Sequence, residues 1–367
     1  MSAKTIKNYT VIALLAVFLF GFAVWAMLKP ADAYSLSERR PLAQAPDLSV
    51  QNILSGKFKD GAEKYAVEQF PLREQFRTLK SVTSFYVMHQ KANNDVYIRD
   101  GYAAQLDYPL NPDMIDHAAE RFRNLYETLM KDTDVRIYLS IVPDKNFFLA
   151  EEGGYPTYDY EELVRTLTEK TDFAEYIDLF DTLEISDYYR TDSHWRQEKI
   201  QKVAQRLAEA MGVSVSDTYT ETELDRDYYG VYYGYAALPM PAERIHYLES
   251  ETLKNCTVTN YETGSQTSVY DLEKGNGKDP YELFLSGSVS LLTIENPDAE
   301  TDRELVIFRD SYGSSLAPLL VKGYSKITLV DIRYLASPFV GQYVRFDSQD
   351  VLFLYSTSVL NNSITLK

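Results

Sequence analysis

Hydrophobic and polar positions change rhythm several times along the chain, and each change marks an element. Residues 10–28, "TVIALLAVFLFGFAVWAML", contain no charge and follow Lys4 and Lys7. At about 1.5 Å rise per residue, this run nearly spans a hydrocarbon core of about 30 Å. Residues 34–47 are rich in Pro, Ser and charge and read as a linker. From 48 to 92, apolar residues recur at helical spacing and are interrupted at Pro71, which predicts two helices beside the membrane. "DVYIRDGYAAQL" (95–106) alternates and turns at Asp100-Gly101, a hairpin signal.

An α/β rhythm follows. Residues 112–132 form an amphipathic pattern, and 134–143 form a nearly continuous apolar strand that stops at a proline. A helix is predicted over 158–172, a short strand over 173–180 and a further helix over 196–213. Residues 225–300 are rich in Tyr, Gly, Thr and Ser with short alternating runs, which predicts a β-rich insertion. "ELVIF" (304–308), "KITLVD" (326–331) and "DVLFLY" (350–355) read as short buried strands, separated by helical stretches at about 313–322 and 333–343. Strands apolar on both faces, alternating with helices, indicate a mostly parallel sheet covered by helices. The expected division is 1–29 as anchor or signal segment, 30–94 as linker and membrane-proximal helices, and 95–367 as the main domain.

Composition narrows the function classes. The net charge of −17 argues against nucleic acid, whose phosphates require a basic patch. Cys256 is the only cysteine, so no intramolecular disulfide and no cysteine-rich zinc site can form. The histidines show no zinc-binding spacing, and neither a metal nor a cofactor is expected. Thirty tyrosines beside two tryptophans suit an extracellular, carbohydrate-facing surface, although tyrosine is also a good half-buried residue. The basic residues before the apolar run keep the N-terminus in the cytoplasm. "ADA" (31–33) resembles a cleavage site, but the run exceeds the length of a signal h-region, which favours an uncleaved anchor. In either case residues from about 30 onward work outside the cytoplasm.

Two segments offer chemistry. In "ELVIFRDSYGSSLAPLL" (304–320) a buried strand ends, and Arg309, Asp310 and Ser311 precede a helix. A hydroxyl at such a turn lies at the carboxyl edge of the sheet, where unpartnered helix N–H groups can hold an oxyanion. The plainer role for Asp310 or Ser311 is an N-cap. In "TDSHW" (191–195), Asp192 and His194 point to one side of an extended segment. A serine hydroxyl needs a base to become a nucleophile, and the base needs an acid to fix its tautomer. The alternative is that Asp192 caps the helix at 196 and His194 lies in solvent. Lys145, after the strand 134–143, is a further candidate for the same pocket.

With an N-terminal apolar segment, "SERRPLAQAPDLS", "EKYAVEQFPLREQF", "DVYIRDGY", "IVPDKNF", "TDSHW" and "VIFRDSYGSSL" in that order, the chain resembles the DHHW family and its relatives, the alginate O-acetyltransferase proteins with an SGNH-hydrolase-like domain. The resemblance runs from the anchor to the end and is weakest over 225–300. It implies an α/β, flavodoxin-like three-layer domain with a parallel sheet and permuted motif order. It places the catalytic acid, base and nucleophile on Asp192, His194 and Ser311. The activity implied is acetyl transfer onto an extracellular polysaccharide through acetyl-serine, with the acetyl group supplied by an MBOAT-type membrane partner. Ser193 stands where the family signature has histidine, and Arg309 where SGNH enzymes have glycine. No equivalent of the SGNH oxyanion asparagine can be placed. The backbone N–H of Ser311 takes that part, with Tyr312, Arg333, Lys145 and Arg309 as pocket candidates. A polysaccharide acetyl-esterase and a non-catalytic scaffold of an exopolysaccharide secretion complex are the competing functions.

Overall fold

The structure is a computed structural model describing residues 2–367. Its chain divides into two compact units. The first runs to Asn93 and takes in Tyr233–Pro239; the second comprises Asn94–Tyr232 and Met240–Lys367.

The first unit begins with helix α1 (Ala3–Leu28), which is long and apolar enough to cross a membrane and buries none of its residues. Helices α2 (Lys57–Glu68) and α3 (Arg73–Val82) follow. The break between them falls at Pro71, which lacks the N–H that a continuous helix would use.

The second unit opens with a hairpin of β1 (Val96–Arg99) and β2 (Tyr102–Gln105). Both turn residues, Asp100 and Gly101, have positive φ, as a tight hairpin turn of the right twist requires. The chain continues through α4 (Pro112–Leu125), β3 (Arg136–Val142), α5 (Lys145–Gly153), α6 (Tyr160–Lys170), β4 (Glu175–Tyr176) and α7 (Gln201–Met211). Strands β5 (Thr257–Asn260), β6 (Gln266–Thr267) and β7 (Leu291–Glu295) lie in the segment expected to be a β-rich insertion. Then come β8 (Glu304–Arg309), α8 (Tyr312–Leu320), β9 (Lys326–Val330) and β10 (Asp350–Ser356).

Eight strands form one sheet in the order β6-β5-β7-β9-β8-β10-β3-β4. The run β9-β8-β10-β3-β4 is parallel throughout. The insertion strands β7, β5 and β6 extend the edge antiparallel, so they belong to the central sheet.

Alternate residues of each parallel strand enter opposite cores, which makes three layers. Leu305, Ile307, Leu352 and Leu354 pack under α7 and α8 with Val203, Leu207, Leu316 and Leu320. Val306, Phe308, Val351 and Phe353 pack on the other face against α4 and α6 with Phe122 and Leu163. Because both faces are covered, these strands read as continuous apolar runs.

Three predicted elements are shorter than their patterns. The strand expected over 173–180 pairs only at Glu175–Tyr176. The helix expected over 196–213 begins as a single 3₁₀ turn, Gln197–Lys199, and becomes α-helical from Gln201. The stretch 333–343 is helical only at Ser337–Val340, after a separate turn in which Tyr334 and Leu335 donate to the Asp331 carbonyl.

Candidate active site

Strand β8 carries the chain to Arg309 at the carboxyl edge of the sheet, and α8 starts at Tyr312. Asp310 builds the turn between them. Its Oδ1 accepts from the Tyr312 N–H (3.0 Å), and its Oδ2 accepts from the Ser356 N–H at the end of neighbouring β10 (2.8 Å). The capping role thus falls to Asp310, and the Ser311 side chain makes no cap bond. The N–H groups of Gly313 and Ser314 donate to the carbonyls of Asp310 and Ser311. Among the described residues, the Ser311 N–H has no acceptor, so one donor at this helix start remains directed beside its own hydroxyl.

The segment 191–195 is a tight excursion. Tyr188 and Trp195 bridge antiparallel across its neck, the Tyr189 N–H donates to the His194 carbonyl (3.0 Å), and the Arg196 N–H to the Asp187 carbonyl (2.7 Å). Trp195 is fully buried, donates from Nε1 to Ser315 Oγ (2.8 Å) and meets Tyr312 edge-on, which anchors the excursion to α8. The hydroxyl of Tyr312 donates to the Ser193 carbonyl (2.7 Å), a second tie to the same helix.

Within this frame Asp192, His194 and Ser311 form one hydrogen-bonded line. His194 Nδ1 lies 2.5 Å from Asp192 Oδ1, and His194 Nε2 lies 2.7 Å from Ser311 Oγ. Asp192 is fully buried and also accepts from the His194 N–H (3.1 Å) and the Val231 N–H (2.9 Å), so it does not cap the downstream helix. A carboxylate accepting from Nδ1–H leaves the Nε2 lone pair toward Ser311. The imidazole stacks on the Tyr281 ring at 3.9 Å, and Tyr281 in turn hydrogen-bonds Ser315 (2.8 Å).

The pocket candidates lie in different shells. Tyr312 touches the imidazole side of the line, with ring centroids 5.3 Å apart. Lys145 is buried behind the excursion, where Nζ donates to the carbonyls of Tyr189 (3.0 Å) and Arg190 (3.3 Å). Burial pushes its ammonium down to about 7, although Asp192 and Glu243 pull it back up. Arg309 is fully buried and directed away from solvent, bonded to Ser314 Oγ (2.9 Å) and to the carbonyls of Asp310, Gly287 and Val289. Arg333 forms a two-pronged pair with Asp331 (2.9 and 2.6 Å) at the end of β9; burial works against its charge, but Asp331, with Asp310 beside it, holds its pKa above the ordinary value.

Several residues of the site are absent from the sequence reading. Glu243 accepts from the Arg190 N–H (2.7 Å), the Thr191 N–H (2.8 Å) and Thr191 Oγ1 (2.7 Å), holding the start of the excursion from outside. Gly230 donates to Thr191 Oγ1 (2.9 Å), and a Cβ there would come within 2.3 Å of Asp192 Cβ. With Tyr281, these come from residues 225–300, where no periodicity points to a partner. The dense tyrosines of that stretch are its one visible signal.

No protein-family model and no curated protein sequence matches the chain. Solved structures do. A DHHW family protein from Eubacterium siraeum superposes with a TM-score of 0.61 at 22% identity, over 75% of this chain and 95% of that one. PatB1 of Bacillus cereus, in a structure with a sulfonyl adduct, gives 0.58 at 18%, over 72% and 95%. The O-acetyltransferase domain of Pseudomonas putida AlgJ gives 0.45 at 13%, over 72% and 92%. The chain therefore shares the α/β fold of the DHHW family protein and of PatB1, with the parallel sheet at its centre and an apolar N-terminal helix added.

Proposed function

We propose that the chain is a membrane-anchored, extracytoplasmic O-acetyltransferase that modifies an extracellular or cell-wall polysaccharide through acetyl-serine. The observation that carries this reading is the unbroken line from buried Asp192 through His194 to Ser311, ending beside an unused helix N–H. The order of motifs that resembles the DHHW family points to the same chemistry, and to a polysaccharide acceptor with an MBOAT-type acetyl-supplying partner.

The geometry supports the following mechanism for that reading. Ser311 Oγ attacks the acetyl carbonyl carbon while its proton passes to His194 Nε2, and Asp192 stabilises the imidazolium. The tetrahedral oxyanion accepts from the Ser311 N–H at the start of α8. Collapse breaks the bond to the leaving group, which takes the proton from His194 and leaves acetyl-serine. A sugar hydroxyl then gives its proton to His194 and attacks the acetyl carbon. The acetylated sugar departs, and the proton returns to Ser311 Oγ. An esterase differs only in that water replaces the sugar, so exclusion of water separates the two.

Purified full-length protein, supplied with an activated acetyl ester and an oligosaccharide, tests the reading by mass. The expected product is oligosaccharide heavier by one acetyl group. Ser311→Ala lowers its formation by about 10³-fold or more with the melting temperature unchanged. Acetylation that persists in folded Ser311→Ala protein removes the catalytic reading. Hydrolysis indifferent to the oligosaccharide assigns an esterase.

A further inference from the structure

Helix α3 has its faces reversed. A helix on a water-soluble unit normally buries its apolar stripe and exposes its charges. Here Ser81 and Ser84 are buried, and the polar side chains are the ones that hold the helix in its unit. Ser81 Oγ donates to the Ala236 carbonyl (2.7 Å), and Arg77 Nη2 to the Gly234 carbonyl (2.6 Å). Arg73 pairs with Glu38 (2.6 Å), and Glu74 accepts from Ser37 Oγ (2.7 Å). The other side presents Leu72, Phe76 and Leu79, followed by Tyr86 and Val87 on the wider helical turn Thr83–Val87. Leu79 is 59% exposed, and Tyr86 and Val87 are each 69% exposed. A contiguous apolar stripe of this kind marks an interaction surface.

Two observations say what covers it. The stripe is continuous with α1: Phe22 of α1 stacks on Phe70 at 5.4 Å and meets the edge of Phe76 at 5.9 Å. Any lipid around the C-terminal end of α1 therefore borders Phe76. Charge supplies the second. Residues 57–91 hold seven basic and four acidic side chains, in a chain whose net charge is −17; Arg73 and Arg77 pair with Glu38 and Glu74, and five lysines carry the excess. A locally basic segment beside an apolar stripe is complementary to anionic headgroups over acyl chains.

We infer that α3 lies in the membrane–water interface of an anionic bilayer, its apolar face in the acyl boundary and its polar face bound to its own unit. This rests on the reading of α1 as a membrane anchor. It makes the membrane surface, as well as the span, a seat for the protein.

The test uses the full chain in phosphatidylglycerol-containing vesicles, with buried Cys256 replaced by Ala. A nitroxide is attached at Leu79→Cys, Val87→Cys, Leu15→Cys within α1, or Glu63→Cys as an exposed reference. Relaxation by oxygen, which partitions into lipid, is compared with relaxation by a water-soluble nickel chelate. The expected result is that labels at 79 and 87 respond several-fold more to oxygen than to nickel, as the label at 15 does. Labels at 79 and 87 that match the one at 63, with 15 still in lipid, overturn this inference alone. Labels shielded from both reagents also overturn it, and assign the stripe to a protein partner or a second copy. A label at 15 that relaxes with nickel removes the anchor reading and this inference together.

Discussion

At the residue scale, the site depends on how firmly Asp192 is held. Its carboxylate accepts bonds from both the backbone and the ring of His194 and from Val231, while Glu243 fixes Arg190 and Thr191 just upstream. Three bonds converging on one carboxylate make Glu243 a positioning residue. Its hydrogen bonds act on the site through Arg190 and Thr191, at the start of the excursion. Glu243→Gln keeps the shape but replaces one acceptor oxygen with a donor facing an N–H or hydroxyl. Misplacement of this order costs about 10- to 100-fold in rate. In the proposed acetyl transfer, steady-state kinetics should show kcat falling by that factor with KM little changed, because the Glu243 carboxylate is taken up by Arg190 and Thr191. The chemistry-bearing residue types were legible in the sequence, since an acid two positions before a histidine, and a hydroxyl after a buried strand, are local patterns. Glu243, Gly230 and Tyr281 were not legible. Their roles arise from contacts with segments distant in the chain, and nothing in their own neighbourhoods encodes those contacts.

At the element scale, α5 and β3 carry a titrating group into the wall behind the site. Asp144 caps α5 by accepting from the N–H groups of Asn146 (2.8 Å) and Phe147 (3.4 Å). Lys145, the first helical residue, is thereby directed inward at the Tyr189 and Arg190 carbonyls. Burial lowers its pKa from the ordinary 10.5 to about 7. Between those values the unfolded chain binds a proton that the folded chain does not, so this contribution to stability rises with pH. It is complete above the unfolded value and is lost as pH falls to about 7. Urea denaturation from pH 7 to 10 should therefore give a flatter dependence of stability on pH for Lys145→Met than for the parent. Element patterns were read best where one periodicity ran long, as in α4, β3 and β10. At 173–180 and 333–343 the apolar content runs on, but regular structure covers only Glu175–Tyr176 and Ser337–Val340.

At the scale of the whole molecule, the N-terminal helix and the sheet-based unit have separate tasks in the proposed function. Apart from the contact of Phe22 with Phe70 and Phe76, the apolar surface of helix α1 is open along its length and requires another cover. In cells producing the protein, alkaline carbonate should leave the full chain in the membrane pellet. It should release a chain that lacks residues 2–29. Amino-terminal sequencing of the mature protein then distinguishes an anchor, which keeps Lys4 and Lys7, from a segment cleaved after residue 33. The antiparallel edge built from 257–295 also belongs to this scale. The alternating pattern there announced strands, but β5 pairs with β7 and β7 with β9, each more than thirty residues onward, and strand pairing is not a property of either strand alone.

By itself the sequence determined the alternation of strands and helices, the buried character of the parallel strands, the apolar N-terminal span and the residue types suited to acyl transfer. These are consequences of side-chain chemistry and short-range periodicity, which a linear pattern records directly. Tertiary structure alone decided that His194 reaches Ser311 across 117 residues, that Asp310 ties the start of α8 to the end of β10, and that Glu243 and Gly230 close around Thr191 and Asp192. Each of these is a contact between distant segments, and the Asp310–Ser356 one arises because β8 and β10 lie side by side with their carboxyl ends at one edge.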